Sequence, residues 1–457
     1  MRMFQPVIIL LACSLIARAQ TNFTILTSFN GPPDASVSFG SLVADSDGVL
    51  YGTTIAGGIS NQGAIFRVNH DGGDFKLLAS LFGTNGVGPY AGLVLGSDGR
   101  LYGTTYAGGT SNCGTVFGIN RDGSGFAVLQ SFTGGADGKN PEAALIEGDD
   151  GALYGTTYFL NSTNRGTIFK INKDGSGYAT IHTFIGNPEG QQPMGRLLLA
   201  SDGALYGTTG FGGAHGAGTI FTVNENGGGF NTLYAFRSIT SDGGDPVAGL
   251  LEGSDHVLYG TAYASGGTGT NGIIFKINKD GNGYQILHRF STSGGDGQRP
   301  NGVLLEGLDG ALYGGAEYGG VSLNGTIYKI NKDGGGYTTL RSFLGNGDAA
   351  SPRCALIQLG DGTIYGTSEF GAVHGAGCVF ALSSAPLSPR MQSISCLNGT
   401  NLVVCSGTSA VEYDLLRSTN FSSWSLLVTL TSQTNGQFKY FDTNAAGVCG
   451  FYRSRIH

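Results

Sequence analysis

Apolar positions along the chain fall in short runs, each stopped by a polar, glycine-containing step. One stretch shows the whole pattern. Ala144-Leu145-Ile146 runs to an Asp150-Gly151 pair, and Leu153-Tyr154-Gly155-Thr156-Thr157 follows. A variable stretch leads to Thr167-Ile168-Phe169-Lys170-Ile171-Asn172. Asp174-Gly175 then precedes Tyr178 to Phe184. Runs this short, rich in Thr, Ile, Phe and Tyr and punctuated by Asp-Gly, predict four β-strands joined by hairpins. Helical 3.6-residue periodicity is missing, and glycine recurs too often for long helices. In the fourth run two aromatics stand six apart, as at Phe126/Phe132, Phe230/Phe236, Tyr284/Phe290 and Tyr337/Phe343. An even spacing predicts that both lie on one face of the strand.

The four-strand unit recurs seven times. Its anchor is a tyrosine before glycine, at Tyr51, Tyr102, Tyr154, Tyr206, Tyr259, Tyr313 and Tyr365, with gaps of 51, 52, 52, 53, 54 and 52 residues. Four strands at a period near 50 predict the blade of a β-propeller. The ends of the array predict a closed ring. The seventh repeat stops after its third run, Cys378 to Leu382, while an orphan run, Asn22 to Phe29, matches a fourth strand and can complete that blade. Closure removes exposed sheet edges. In such a blade the two Asp-Gly hairpins lie on one face. The longer loops after the second strand and the blade-to-blade connections lie on the other, which is the place for binding residues.

Composition agrees with this picture. Glycine is 82 of 457 residues and charged residues are 12%, against usual shares of about 7% and about 25%. The net charge of −7 carries no basic stripe, which argues against nucleic-acid binding. Arg2, the apolar stretch Val7 to Ile16 and Ala17-Arg18-Ala19 read as a signal peptide cleaved after Ala19. Export to the medium or the cell surface follows. Leu10-Leu11-Ala12-Cys13 offers a minor alternative as a lipoprotein site on Cys13. No segment is long and apolar enough for a transmembrane helix. Six cysteines remain after cleavage, Cys113, Cys354, Cys378, Cys396, Cys405 and Cys449, and export makes them candidates for disulfides. The last three fall close together, so a bridge is expected there.

The domains expected are a signal peptide over 1–19, a seven-bladed β-propeller over 20–382, a linker over 383–390 and a small β module over 391–457. The module's strand candidates are 401–404, 411–417, 424–430, 437–441 and 451–453, with Trp424 in its core, which suggests a miniature sandwich. The fold class is therefore all-β.

The recurring Leu-Tyr-Gly-Thr-Thr and Gly-Thr-Ile-Phe-Lys-Ile-Asn-Lys-Asp-Gly segments resemble the GloVer-type tandem repeat of exported bacterial "choice-of-anchor" proteins, over residues 22 to 382. The resemblance implies a propeller with a varied C-terminal attachment module, and it implies no activity, cofactor or catalytic residue. The segment Tyr413 to Phe421, with Trp424 and Phe451-Tyr452-Arg453, resembles fibronectin-III-like modules of exported bacterial proteins.

Candidate chemistry lies in three places. Just after Gly-Thr-Thr the residues vary, giving Tyr106, Tyr158, Phe211, Tyr263, Glu317, Tyr318, Glu369 and Phe370. Tyrosines and acids on a rigid rim suit sugar stacking and hydroxyl binding, because an aromatic ring offers an apolar face and a polar tip; packing between blades is the competing reading. Asp137 and Asp296, ahead of the first strand, either cap their own turns or form an acidic rim. Glu147, Glu252 and Glu306 occupy one position of the first strand. As channel acids they could supply the paired carboxylates of a glycosidase; as solvated channel residues they would do nothing chemical. The Asn-x-Asp-Gly turns lack the bidentate Glu of a calcium loop. His215 and His374 sit in non-adjacent repeats, and no metal or cofactor is expected. These features point to a non-enzymatic binding scaffold for a carbohydrate or a surface protein. A carbohydrate-active hydrolase or lyase, or a structural adhesion component, stand as alternatives. Oligomeric state is left open.

Overall fold

The second strand of each repeat is buried along nearly its whole length, and the rest of the blade is organised around it. The computed structural model describes residues 21–160, 165–237, 242–264, 271–292, 295–345, 347–384, 390–397, 400–406, 412–418, 425–431, 437–442 and 451–456. The chain divides into two compact units, Phe23–Leu382 and Ser383–His457 with Met1–Asn22. The expected signal peptide, the Asn161–Asn164 loop, most of the expected linker, Trp424 and Cys449 lie outside the described residues.

In the first unit seven antiparallel sheets follow one another in chain order. Blade 3 is representative: Ile146–Glu147, Leu153–Thr157, Thr167–Ile171 and Ala179–Thr183. Its two central strands pair from Leu153↔Ile171 to Thr157↔Thr167. The tyrosine that marks each repeat is buried, and in blades 1 to 6 its hydroxyl donates to the Asp of the adjoining turn, as in Tyr154 to Asp150 (2.9 Å), Tyr206 to Asp202 (2.8 Å) and Tyr259 to Asp255 (2.8 Å). Those hydrogen bonds satisfy a hydroxyl at the edge of the core.

The ring closes as the sequence predicts. Thr21–Ser28 pairs with Cys378–Ser384 as the outer strand of blade 7, beside Ile364–Ser368 and Ile357–Gln358. Phe29 is fully buried and donates its N–H to the Gly377 carbonyl (2.9 Å). The first hydroxyl of Gly-Thr-Thr reaches the next blade's backbone: Thr53 to Ala91 O, Thr104 to Ala143 O, Thr208 to Ala248 O. Thr367 makes the same bond to Gly40 O (3.1 Å), joining blade 7 to blade 1.

One expectation about the fourth strand is corrected. The two aromatics six apart lie on opposite faces. Tyr178 packs on Phe169 of its own blade and Phe132 of the preceding one, whereas Phe184 packs on Phe221 and Phe230 of the following one. A bulge is responsible. Ile168 pairs with His182 and Phe169 with Thr180, so Ile181 is an extra residue that reverses the alternation. The same shift occurs between Val116 and Phe117, Ile220 and Phe221, and Ile274 and Phe275. The bulge also explains the glycine of a strand 3–4 turn, here Asn226-Gly227. At Gly227 (φ 83°) a Cβ would stand 2.3 Å from the carbonyl oxygen of Ile181, the bulge residue of the preceding blade.

The inner ends of the hairpin face are fastened by charge. Glu252 accepts from Ser201 N (2.7 Å) and Ser201 Oγ (2.7 Å) of the preceding blade and from Lys279 Nζ (2.6 Å) of its own. Glu306 does the same with Ser254 and Lys332, and Glu147 with Ser97 and Lys173. Burial alone would raise these carboxyls, but the hydrogen bonds from lysine and serine outweigh it; all three are lowered, Glu252 to about 2. A carboxyl lowered by folding stabilises fully above its unfolded value, near 4.5, and loses that contribution as pH falls through the folded value. Thermal melts between pH 6 and pH 2 should therefore fall steeply below about pH 4.5, and the Glu147→Gln/Glu252→Gln/Glu306→Gln variant should be less stable at pH 6 and flatter across that range. An unchanged slope in the variant would remove these residues from the acid response.

Cys113, Cys354 and Cys378 are free thiols, so disulfides do not form at these positions. Cys378 takes the place that Thr115 has in blade 2, where Thr105 and Thr115 share a hydrogen bond; here it meets Ser368 Oγ at 3.2 Å. Burial pushes its thiol up to about 12, which makes it inert.

The second unit contains two three-stranded antiparallel sheets. One is Arg390–Leu397, Thr400–Ser406 and Gln437–Asp442; the other is Ser425–Thr431, Glu412–Ser418 and Phe451–Ile456. Five of the six were expected from the sequence. Arg390–Leu397 was not, because its polar Arg390-Met391-Gln392-Ser393 start hides the alternation. Among the described residues no helix is long and apolar enough to cross a membrane.

Candidate ligand-binding site at the mouth of the central channel

The segment leading into each first strand begins with a residue in the left-handed region. Val37 (φ 59°), Asn140 (57°), Gln192 (59°), Asp245 (52°), Arg299 (57°) and Ser351 (54°) take this position, and Gly88 (63°) takes it in blade 2. Outside glycine this conformation costs about 1–2 kcal/mol per residue. Hydrogen bonds maintain it. The carbonyl of Gly88 accepts from Tyr106 N (2.9 Å), that of Asn140 from Tyr158 N (3.1 Å), that of Asp245 from Tyr263 N (3.0 Å) and that of Ser351 from Glu369 N (3.1 Å). In six blades the next residue is proline or, in blade 1, Ser38 stands there instead.

This backbone fixes two side-chain positions per blade at the loop-face mouth of the channel. The residue two after the left-handed one is Phe39, Tyr90, Glu142, Met194, Val247, Asn301 or Arg353 in blades 1 to 7, seven different residues in seven repeats. The residue closing Gly-Thr-Thr is Ile55, Tyr106, Tyr158, Gly210, Tyr263, Glu317 or Glu369. Neighbours touch around the ring. Phe39 and Tyr90 stand 5.6 Å apart, and Tyr90 and Tyr106 5.1 Å apart. The Arg353 guanidinium lies 4.6 Å over Phe39 and meets Glu317 at 3.3 Å and Glu369 at 3.5 Å. Arg299 stacks between Tyr263 (5.4 Å) and Tyr318 (5.2 Å) and donates to the Tyr263 hydroxyl (3.3 Å).

The electrostatics of the mouth are those of partial desolvation. Burial pushes the Glu142 carboxyl up to about 7. Burial raises the phenols of Tyr106 and Tyr158, and the negative charge of Glu142 raises both further. Glu369 is raised by burial, with Arg353 opposing and Glu317 adding.

Three segments of the chain, 14–184, 122–302 and 263–402, match the family model described as the Gloeobacter/Verrucomicrobia repeat. The protein belongs to this repeat family. No curated protein matches the sequence. Among solved structures, the extracellular domain of a proposed one-component system from B. thetaiotaomicron is similar in fold, at 10% identity and a TM-score of 0.50, over 95% of this chain. The chain spans only 58% of that structure's length. A proposed 6-phosphogluconolactonase from Bacteroides uniformis ATCC 8492 gives a TM-score of 0.49 at 14% identity, over 86% of this chain and 99% of its own.

Among the seven repeats of this chain, blade 6 departs most. It reads Leu312-Tyr313-Gly314-Gly315-Ala316-Glu317, losing both threonines, and Tyr328 replaces the usual phenylalanine. Thr326 and Tyr328 are left with buried hydroxyls that have no partner. A blade that forgoes its own packing rule at the point where it delivers Glu317 resembles a site under functional constraint.

The residues named from the sequence separate into three groups. Tyr106, Tyr158, Tyr263, Glu317 and Glu369 come together at the mouth, and Tyr318 flanks it through Arg299. Asp137 and Asp296 lie farther out with their carboxylates engaged. Asp137 accepts from Thr133 N, Thr133 Oγ1 and Gly135 N, and Asp296 from Ser291 N, Gly297 N and Tyr337 OH, beside His288. Glu147, Glu252 and Glu306 belong to the hairpin face, where each is taken up by its own serine and lysine. Sequence reasoning missed Phe39, Tyr90, Glu142, Arg299 and Arg353. For Tyr90, Glu142 and Arg353 the signal was available, because the residue after the recurring proline differs from repeat to repeat.

Proposed function

We propose that the protein is an exported or cell-surface binding scaffold that receives a carbohydrate at the loop-face mouth of its channel. The observation that carries this reading is where the repeats differ. Hairpins, bulges and tyrosine anchors recur almost unchanged, while the two rings of side chains at one mouth vary from blade to blade. A scaffold needs no such variation, and a ligand without sevenfold symmetry does. The arc of Phe39, Tyr90 and Tyr106 offers ring faces to sugar C–H groups, and Glu142, Tyr158 and Asn301 offer donors and acceptors to hydroxyls. Export rests on the Arg2, Val7–Ile16 and Ala17-Arg18-Ala19 pattern, and the C-terminal unit serves as spacer or attachment.

The test is a glycan and polysaccharide array probed with the chain from Gln20. A specific ligand should lose at least about tenfold in affinity on Tyr106→Ala or Tyr158→Ala, in keeping with the loss of an aromatic anchor. Glu252→Gln, on the hairpin face, should leave it unchanged. A blank array with folded protein would move the reading to a protein partner or a structural role. A hydrolase or lyase is the second reading, favoured by Glu142. A carboxyl pushed up to about 7 by burial can give or take a proton at neutral pH. Turnover of an array ligand that Glu142→Gln abolishes while binding persists would establish it.

A further inference from the structure

Arg196 occupies the lead-in segment of blade 4, two residues past Met194 and so about 7 Å deeper along the extended chain. Gly195 and Leu197 on either side of it are buried, while Arg196 is exposed. At Gly195 a Cβ would stand 2.6 Å from Thr208 Oγ1, and Leu197 belongs to the cluster around Phe184 and Phe221, so both face the blade interior. Alternation sends the Arg196 side chain the other way, into the channel. The inner strands run close together here, since a Cβ on Gly249 of blade 5 would meet the Arg196 carbonyl oxygen at 2.4 Å. The counterparts of Arg196 in the other six blades are small or aliphatic: Ser41, Gly92, Ala144, Gly249, Val303 and Ala355.

The three arginines of this region are treated differently. Arg353 is neutralised by Glu317 and Glu369, and Arg299 is sandwiched by two tyrosines. The Arg196 guanidinium has no hydrogen bond, ion pair or ring contact among the described residues. Water reaches it, yet the surrounding blades desolvate it enough to lower its pKa. A cation lining the channel among small side chains, with no counter-ion among the described residues, is free to pair with an incoming anion.

We propose that Arg196 is an anion hook, and that the ligand of the mouth is an acidic sugar whose carboxylate or sulfate group enters the channel to pair with it. The proposal rests on the carbohydrate reading and names the class of sugar. A guanidinium presents two parallel N–H donors to a planar or tetrahedral oxyanion. The aromatic arc holds the ring that carries the anion, and Arg353 offsets one of the two charges of Glu317 and Glu369, which weakens their repulsion of it.

The experiment titrates wild type and Arg196→Gln with oligogalacturonate, a sulfated galactan oligomer and a neutral galactan oligomer of matched length. Wild type should bind at least one anionic oligomer about tenfold more tightly than the neutral one, the scale of one charge-assisted pair. Arg196→Gln should reduce that preference to within about twofold while leaving neutral binding unchanged. Which anionic oligomer wins assigns carboxylate or sulfate. An anionic preference that survives in Arg196→Gln overturns the hook while leaving the mouth reading intact; glycan binding that ignores Tyr106→Ala and Tyr158→Ala overturns the mouth reading. A readout without any polymer closes the remaining gap. Millimolar glucuronate or inorganic sulfate should raise the melting temperature of wild type more than that of Arg196→Gln. Equal shifts in the two proteins overturn the hook whatever the oligomers do.

Discussion

Deleting Thr21–Phe29 from the exported chain is expected to open the ring and drive the protein into association. The strand supplies the outer edge of blade 7, and without it Cys378–Ser384 becomes an unpaired edge. The deletion also removes Phe29, which is fully buried against Phe66 and Phe75 of blade 1, and Phe23, which packs on Phe343 and Phe380. Phe29→Ala alone should cost about 3–5 kcal/mol, the range for truncating a buried phenylalanine. Size-exclusion chromatography and denaturant melts read both variants, and a synthetic peptide covering residues 21–30 should restore the monomer peak of the deletion. A deleted chain that stays monomeric with an unchanged melt would mean that the seventh blade does not depend on the first strand.

The second large effect is at the mouth. Arg353→Ala should destabilise the propeller by about 3–5 kcal/mol, because it strands a buried charge. Glu317 and Glu369 are both nearly buried, at 3% and 8% exposure, and Arg353 is the cation that reaches both. Without it the Glu369 carboxyl, which burial already raises and Arg353 holds down, should be raised further. Arg353→Ala/Glu317→Gln should recover most of the loss, which separates the charge effect from lost packing on Phe39. Denaturant titrations of the two variants measure the difference. Equal stability of Arg353→Ala and wild type would show that the guanidinium is not needed to hold the acids.

The architecture was legible because a propeller is written as a repeat. Seven tyrosine anchors gave the blade number, the Asp-Gly pairs gave the hairpins, and the orphan run ending at Phe29 gave the closure. The parity of the fourth strand was not legible. A bulge residue such as Ile181 looks like any other aliphatic in a strand, and only pairing reveals that it breaks the alternation. The site was half legible. Tyr106, Tyr158, Tyr263, Glu317 and Glu369 follow a motif and could be aligned by eye. Phe39, Tyr90, Glu142 and Arg353 each stand two residues after a left-handed one, so their shared place in the fold comes from backbone geometry. The partners of Glu147, Glu252 and Glu306 were not legible. These glutamates align as well as any site residues, but alignment does not say that a serine of the preceding blade and a lysine of their own blade satisfy them.

The claim that the loop-face mouth is the binding site is tested most directly by hydroxyl-radical footprinting with and without a saturating array ligand. Tyr90 and Met194 stand at the mouth, and His256 stands on the hairpin face with its side chain 72% exposed. The account predicts that the ligand protects Tyr90 and Met194 from oxidation and leaves His256 unchanged. Protection of His256, with Tyr90 and Met194 oxidised as in the free protein, would contradict it.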